Sequence, residues 1–190
     1  MVKPFLESDS AARRQKILLA ARWCFLNFGY AKTSFEDIAK RAGLSRTLLY
    51  RLFKDKEDIF QAVFADWLVS RQPEAMKAAS GPGNALDRLI TVSSLLVVEP
   101  WSDMVGAAMA TEFYEVCQRL DPETSAQHRR VVIDCVSTIL GDEAAAEVFV
   151  LALDGLLIDE PTVPILQQRI EVLADRFTRV TRRRKADSSA

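Results

Sequence analysis

Apolar residues recur along this chain at intervals of three and four, and β-branched alternating runs are missing. From Ile17 they run through Ala20, Ala21, Cys24 and Phe25 to Phe28, the spacing that lines one side of an α-helix, and Gly29 ends it. Thr33 or Ser34 then caps a short helix whose inward positions are Phe35, Ile38, Ala39 and Ala42. An acidic residue stands three places after each cap candidate, Glu36 and Asp37 respectively, as a capping box requires. Gly43 stops that helix, Ser45 caps the next with Leu49 and Phe53 inward, and a longer helix is predicted over 57–71. The stretch 72–84, QPEAMKAASGPGN, reads as a linker because its GPG ends any helix. Five more helices are predicted over 85–98, 101–120, 124–140, 142–159 and 162–181, punctuated by Pro100, Pro122, Gly141 and Pro161. Residues 1–9 and 182–190 are expected to be flexible tails. The pattern is that of an all-α protein.

Composition adds little to this, but the distribution of charge adds a partner. Of the 190 residues, 49% are hydrophobic and 27% charged, an ordinary globular balance. The net charge of −1 taken alone argues against nucleic acid. Residues 1–60 nevertheless hold 12 Lys/Arg against 7 Asp/Glu, a net +5, whereas 61–170 hold 7 against 16, a net −9. Residues 171–190 return to +3, with 6 against 3. A polyanion is drawn to the first block and repelled by the second, which orients the molecule on it. The Arg182–Lys185 run reads as a solvated tail rather than a second contact. The three cysteines, Cys24, Cys117 and Cys135, are far apart, unpaired by motif and suited to a reducing compartment. The opening MVKPFLESDS lacks the apolar core of a signal peptide, and no apolar run is long enough to span a bilayer. A cytoplasmic location is expected.

The informative segment is 34–53: a helix of about eight residues, the turn Ala42-Gly43-Leu44-Ser45, and a second short helix, which together form a helix-turn-helix pattern. Gly43 supplies the left-handed conformation of the turn, Ala39 lets the helices approach, and Leu44 plugs the corner. With Leu49 and Phe53 facing inward, the outer face of the second helix shows Arg46, Thr47, Tyr50 and Arg51, side chains suited to base edges and phosphates in a major groove. The helix N-termini at Thr33/Ser34 and at Lys56 present N–H groups where phosphate can bind.

Residues 13–67 resemble the DNA-binding module of TetR-family regulators. The resemblance rests on Ile17-Leu18, Ala20-Ala21, Phe25, Gly29-Tyr30, Thr33-Ser34, Asp37-Ile38-Ala39, Ala42-Gly43-Leu44-Ser45, Leu49-Tyr50, Phe53 and Lys56-Glu57. It implies that Ser45, Arg46, Thr47, Tyr50 and Arg51 contact DNA, with Thr33 and Lys56 on phosphates. Three positions depart from the family pattern: Thr47 replaces the usual glycine, Leu48 a threonine and Leu52 a histidine. Leu52 thereby loses a phosphate contact, while Leu48 can meet a thymine methyl. A DNA-binding domain over 10–56 is expected, followed by a helical ligand-binding and dimerisation domain over 57–181.

In the body, large apolar residues read first as core, but the resemblance implies a ligand cavity among them. Trp67, Trp101, Met104, Met109 and Phe113 would favour a hydrophobic or aromatic effector of unknown identity, with Glu112, Tyr114, Cys117, Gln118 and His128 as neighbouring candidates. His128 lacks any companion at metal-ligand spacing, so neither metal nor cofactor is expected. Val163, Leu166, Ile170, Leu173, Phe177 and Val180 form a heptad-like stripe, preceded by Val148, Phe149, Ala152 and Leu156. The resemblance implies that these two helices form a four-helix bundle with a second copy; the alternative is that the stripe is buried within its own chain. The function expected is a DNA-binding repressor, a homodimer on double-stranded operator DNA, released by its effector. Two other classes stay open: a helical ligand-binding or interaction protein with weakened DNA binding, and a cytosolic enzyme. For the enzyme, Glu112, Glu115 and Cys117 assemble no nucleophile, base and orienting group by motif.

Overall fold

The computed structural model describes the backbone of residues 3–187 and the side chains of residues 10–179. The chain is 81% helical with no strand among the described residues, the expected all-α class. In order, the helices are α1 Lys3–Phe28, α2 Phe35–Ala42, α3 Arg46–Leu52, α4 Lys56–Val69, α5 Gln72–Ser80, α6 Ala85–Ser93, α7 Glu99–Met104, α8 Ala110–Leu120, α9 Pro122–Leu140, α10 Glu143–Gly155 and α11 Val163–Asp187. None is long and apolar enough to cross a membrane. Where the expected tails are described, at 3–9 and 182–187, the backbone continues α1 and α11; residues 1, 2 and 188–190 lie outside the described residues.

Two compact units make up the chain, one running to Trp67 and including Gly106–Ser125, the other Leu68–Val105 with the remainder from Ala126. The expected boundary at 56/57 therefore falls inside the first unit. In that unit Ile17, Ala21 and Phe25 of α1 are buried with Ile38 of α2, Leu49 of α3 and Ile59, Phe60 and Val63 of α4. Phe113, Val116 and Cys117 of α8 complete this interior. Edge-on and tilted rings run through it: Phe25 to Phe60 at 5.0 Å, Phe60 to Phe113 at 5.1 Å, and Phe113 to Trp67 at 5.6 Å.

The second unit is built on Leu89, Val92, Leu96, Val136, Phe149, Leu153, Leu166 and Ile170. Here three expectations are corrected. The linker expected over 72–84 is mostly α5, because Ala75 and Ala79, one turn apart, are buried and Pro73 sits harmlessly in the first turn. The helix expected over 101–120 is two helices, parted by Val105–Met109 with Gly106 at φ +80°. Pro100 does not end the run before it; instead Ser94–Val98 widens into a π-helical stretch leading into α7. A proline at 100 has no N–H to give the carbonyl of Leu96, four residues back. His128 Nε2 meets that carbonyl at 3.2 Å, and Gln72 Nε2 meets Nδ1 at 3.4 Å. The carbonyl can only accept, so the neutral ring carries its proton on Nε2.

Polar braces lie at the rim of this unit. Trp101 Nε1 donates to the Pro161 carbonyl at 2.8 Å, and Arg169 bridges Asp159 through two bonds of 2.6 Å while reaching the Leu156 carbonyl. Arg129 pairs with Asp154, and Arg71 with Glu99 and Asp103.

His128 is the chain's one histidine, and burial holds its pKa below the ordinary 6.5 despite the opposing bond to Leu96. The unfolded chain thus takes up a proton that the folded chain refuses, so stability is complete above about pH 6.5 and declines as pH falls below it. Melting temperatures measured at pH 7.5 and 5.5 are expected to fall across this interval. His128→Gln, which loses the titration, is expected to show a smaller fall; an equal fall in both proteins would refute this assignment.

Candidate nucleic-acid interface

The geometry of α2 and α3 follows from residues within a few positions of each other. Ser34 caps α2: its hydroxyl accepts from the Asp37 N–H while the Asp37 carboxylate accepts from the Ser34 N–H at 2.9 Å, a complete capping box. The Ser34 bond holds the Asp37 carboxyl below its ordinary pKa. Gly43 closes α2 at φ +61°, its N–H and that of Leu44 turning back onto Lys40 and Ala39 carbonyls in a Schellman-type end. Ser45 begins α3, its hydroxyl accepting from the Leu48 N–H at 3.3 Å. Leu49 is fully buried and Phe53 nearly so, which fixes the rotation of α3.

That rotation leaves Arg46, Thr47, Tyr50 and Arg51 exposed, with Ser34 and Ser45 exposed beside them and Leu48 half-buried. Tyr50 is 52% exposed, its ring 4.5 Å from that of Phe35. Arg46 Nη2 donates to the Tyr50 hydroxyl at 3.0 Å, and Arg46 Nη1 lies 3.6 Å from the Glu36 carboxylate. Two cations of the same unit lie over rings, Arg14 over Phe53 at 4.7 Å and Arg41 over Trp23 at 3.2 Å.

One expected phosphate contact is corrected, at Thr33, and the other, Lys56, has partners within the chain. Thr33 is 2% exposed, and both its N–H and its hydroxyl donate to the Gly29 carbonyl. Lys56 Nζ donates to the Tyr30 carbonyl at 2.8 Å and the Ala31 carbonyl at 3.1 Å, 4.6 Å from the Tyr30 ring. Both side chains serve the α1–α2 turn. Glu112 of α8 grips the same turn from its N–H side, Oε1 accepting from Tyr30 N at 3.1 Å. Gly29 stands at φ +85°, where a Cβ would come within 2.6 Å of the other Glu112 oxygen. The partnerships of Glu36 and Glu112 carry no signal in the sequence, since each joins residues that only the fold brings together.

The eight pocket candidates divide between the units. Trp67, Phe113 and Cys117 are core of the first, Met109 is half-buried beside Gly29, and Tyr114 is 53% exposed. Trp101, Met104 and His128 belong to the second, where Trp101 and His128 have the bonding roles given above. Gln118 donates to Ser125 at 3.0 Å. The three thiols are buried and their pKa values pushed up by that burial, Cys24 to about 11, which keeps them protonated and unreactive.

Three residues of the expected dimer stripe are corrected as well. Phe149, Leu166 and Ile170 are buried in their own chain, and Leu156, Leu173 and Phe177 pack against that core, with Ala152 half-buried. Val180 lies outside the described side chains. Val148 alone of the expected interface residues is exposed, together with Leu151, Ile158, Ile165 and Val172, which the stripe reading missed. The seven-residue interval from Ile165 to Val172 was the available signal.

The sequence profile of bacterial regulatory proteins of the tetR family matches residues 17–63, the span that builds this cap-turn-cap geometry. That match places residues 17–63 in the tetR family of bacterial regulatory proteins. It is 34% identical over 93 residues to the HTH-type transcriptional repressor KstR2 of Mycolicibacterium smegmatis, covering 47% of this chain and 45% of that one. It is 26% identical to the HTH-type transcriptional repressor AcnR of Corynebacterium diphtheriae over 90% of this chain and 81% of that one. The crystal structure of a TetR-like transcriptional regulator from Rhodococcus sp. RHA1 superposes with a TM-score of 0.58 at 25% identity, covering 87% of this chain and 95% of that one. The chain spans less than half the length of the first curated relatives it matches. The relatives named here are transcriptional regulators.

Gly29→Ala adds backbone strain at a left-handed position and forces Glu112 off the Tyr30 N–H. A loss of about 2 kcal/mol is expected in chemical denaturation. A loss below a few tenths would show that the turn yields freely.

Proposed function

We propose that this chain is a homodimeric TetR-family transcriptional repressor that reads operator DNA with α3 and is released by a small hydrophobic effector. The observation that carries the DNA reading is the outward face of α3, where a hydroxyl-bearing side chain, an aromatic ring and two guanidinium groups are exposed on a helix whose other side is locked into the core. Such a face can offer bidentate donors to guanine and hydroxyl or ring contacts to phosphate and sugar. The names of KstR2 and AcnR, both repressors, support the direction of control. The net +5 of residues 1–60 supplies the field that draws a duplex to this side. A gel shift with genomic fragments at moderate salt tests the reading. Tyr50→Ala with Arg51→Ala is expected to abolish a specific shift, each contact accounting for roughly 1–3 kcal/mol, while circular dichroism stays unchanged. Persistence of the shift would exclude α3 as the reading element.

The dimer is supported by apolar side chains that α10, α11 and the connection between them leave in water. Leu151 is 64% and Val172 56% exposed, with Val148, Ile158 and Ile165 also exposed. A second copy covering them would place two α3 helices on two half-sites. Leu151→Glu with Val172→Glu is expected to shift sedimentation from dimer toward monomer with helicity kept. A dimer of unchanged affinity would refute this face.

Effector release is supported by polar groups inside the second unit. Ser93 is fully buried, and its hydroxyl has no partner among the described residues; it immediately precedes the π-helical stretch. π-Helical stretches frequently mark functional sites. An effector bound in the body would favour a spacing of the α3 pair that no longer fits both half-sites, and a coupling of ~1–3 kcal/mol suffices for a switch.

A further inference from the structure

Arg46 is the first residue of α3 and the side chain best placed to enter a groove, yet it is already engaged on both sides of its guanidinium. One terminal nitrogen donates to the Tyr50 hydroxyl at 3.0 Å, one turn along α3. The other lies 3.6 Å from the carboxylate of Glu36, in the first turn of α2. Tyr50 is itself held, since its ring packs 4.5 Å from that of Phe35, a buried residue adjacent to Glu36. The first turn of α2 thus fixes both partners of Arg46.

We propose that Glu36 is an affinity-setting latch: its carboxylate holds Arg46 in the free protein, and a duplex that uses Arg46 must first break that pair. This rests on the reading of α3 as the DNA-contacting helix. Both partners are largely exposed, with side-chain exposures of 57% and 75%, so the pair is weak enough to be exchanged. A cognate duplex offers guanine O6 and N7, a bidentate acceptor that matches the guanidinium fork, and Arg46 leaves Glu36 to reach it. An arbitrary duplex can be bound with the pair intact, forgoing the Arg46 contact. Glu36 therefore lowers affinity for the cognate sequence by the worth of the pair, and for an arbitrary one by no more than that.

The test is a double-mutant cycle on the full chain, using a fragment that the protein itself selects from genomic DNA and an unrelated duplex of equal length at one salt concentration. Glu36→Gln is expected to tighten binding to the selected fragment about threefold, the range of an exposed ion pair, and binding to the unrelated duplex by no more. In the Arg46→Ala background the same substitution is expected to lose most of that gain. An equal gain on both duplexes that survives Arg46→Ala would overturn the proposal, since Glu36 would then act only as a negative charge near phosphate. A DNA-free readout separates this failure from failure of the α3 reading. In nitrogen NMR of the free protein, Arg46 guanidinium resonances are expected to show hindered rotation that Glu36→Gln relieves; their being identical in both proteins would overturn the latch, whatever the chain binds.

Discussion

A helix of seven residues has no stability of its own in water, because nucleation fixes several dihedral angles for each early hydrogen bond. The α3 helix is such a helix, and every function argued for this chain depends on its being held at one rotation. Three constraints do this without touching its outer face. Ser45 satisfies its first turn, Gly43 and Leu44 set the corner before it, and Leu49 with Phe53 anchors its inner side. Since all three act from within or beneath the helix, Arg46, Thr47, Tyr50 and Arg51 stay available to an incoming partner. The rest of the first unit is a frame for this piece: α1 and α4 supply its floor, and α8, distant in sequence, closes the floor from below with Phe113 and grips the α1–α2 turn with Glu112.

What was legible in the sequence was whatever is decided within about five residues. The capping box of Ser34 and Asp37, the left-handed Gly43, the Ser45 cap and the inward Leu49 were each readable because partner and cap lie one turn apart. Thr33 and Lys56 show the same limit in reverse. Both sit at helix starts, where phosphate binding is plausible, but their hydrogen bonds go to Gly29, Tyr30 and Ala31, and for Lys56 that partner is 26 residues away. The body was least legible. An apolar stripe at three-four spacing says that a face is covered, not by what; in α11 the cover is the chain's own α6 and α10, and the face left in water is a thinner line at Ile165 and Val172. Pro100 was read as punctuation because nothing local announces a histidine arriving from position 128 to take the carbonyl it strands.

The first unit also treats its cations consistently. Arg14, Arg41, Arg46 and Lys56 all lie within 5.4 Å of the centroid of an aromatic ring, Phe53, Trp23, Tyr50 and Tyr30 in turn. Stacking occupies the flat face of a guanidinium and leaves its edge N–H groups free, so a ring can order an arginine without consuming its donors. Much of the cost of binding through long basic side chains is the rotamer freedom they surrender, roughly 0.5–1.5 kcal/mol for each one immobilised. Arginines ordered beforehand on rings surrender less. Lys56 uses its charge differently, its compact ammonium donating to two backbone carbonyls. Arg46 lies between these cases: ordered by Tyr50, it still answers to a carboxylate. The structure therefore presents the α3 face pre-formed; on the reading proposed above, a duplex gains by exchanging the acceptors of a few ordered donors rather than by folding a loop around itself.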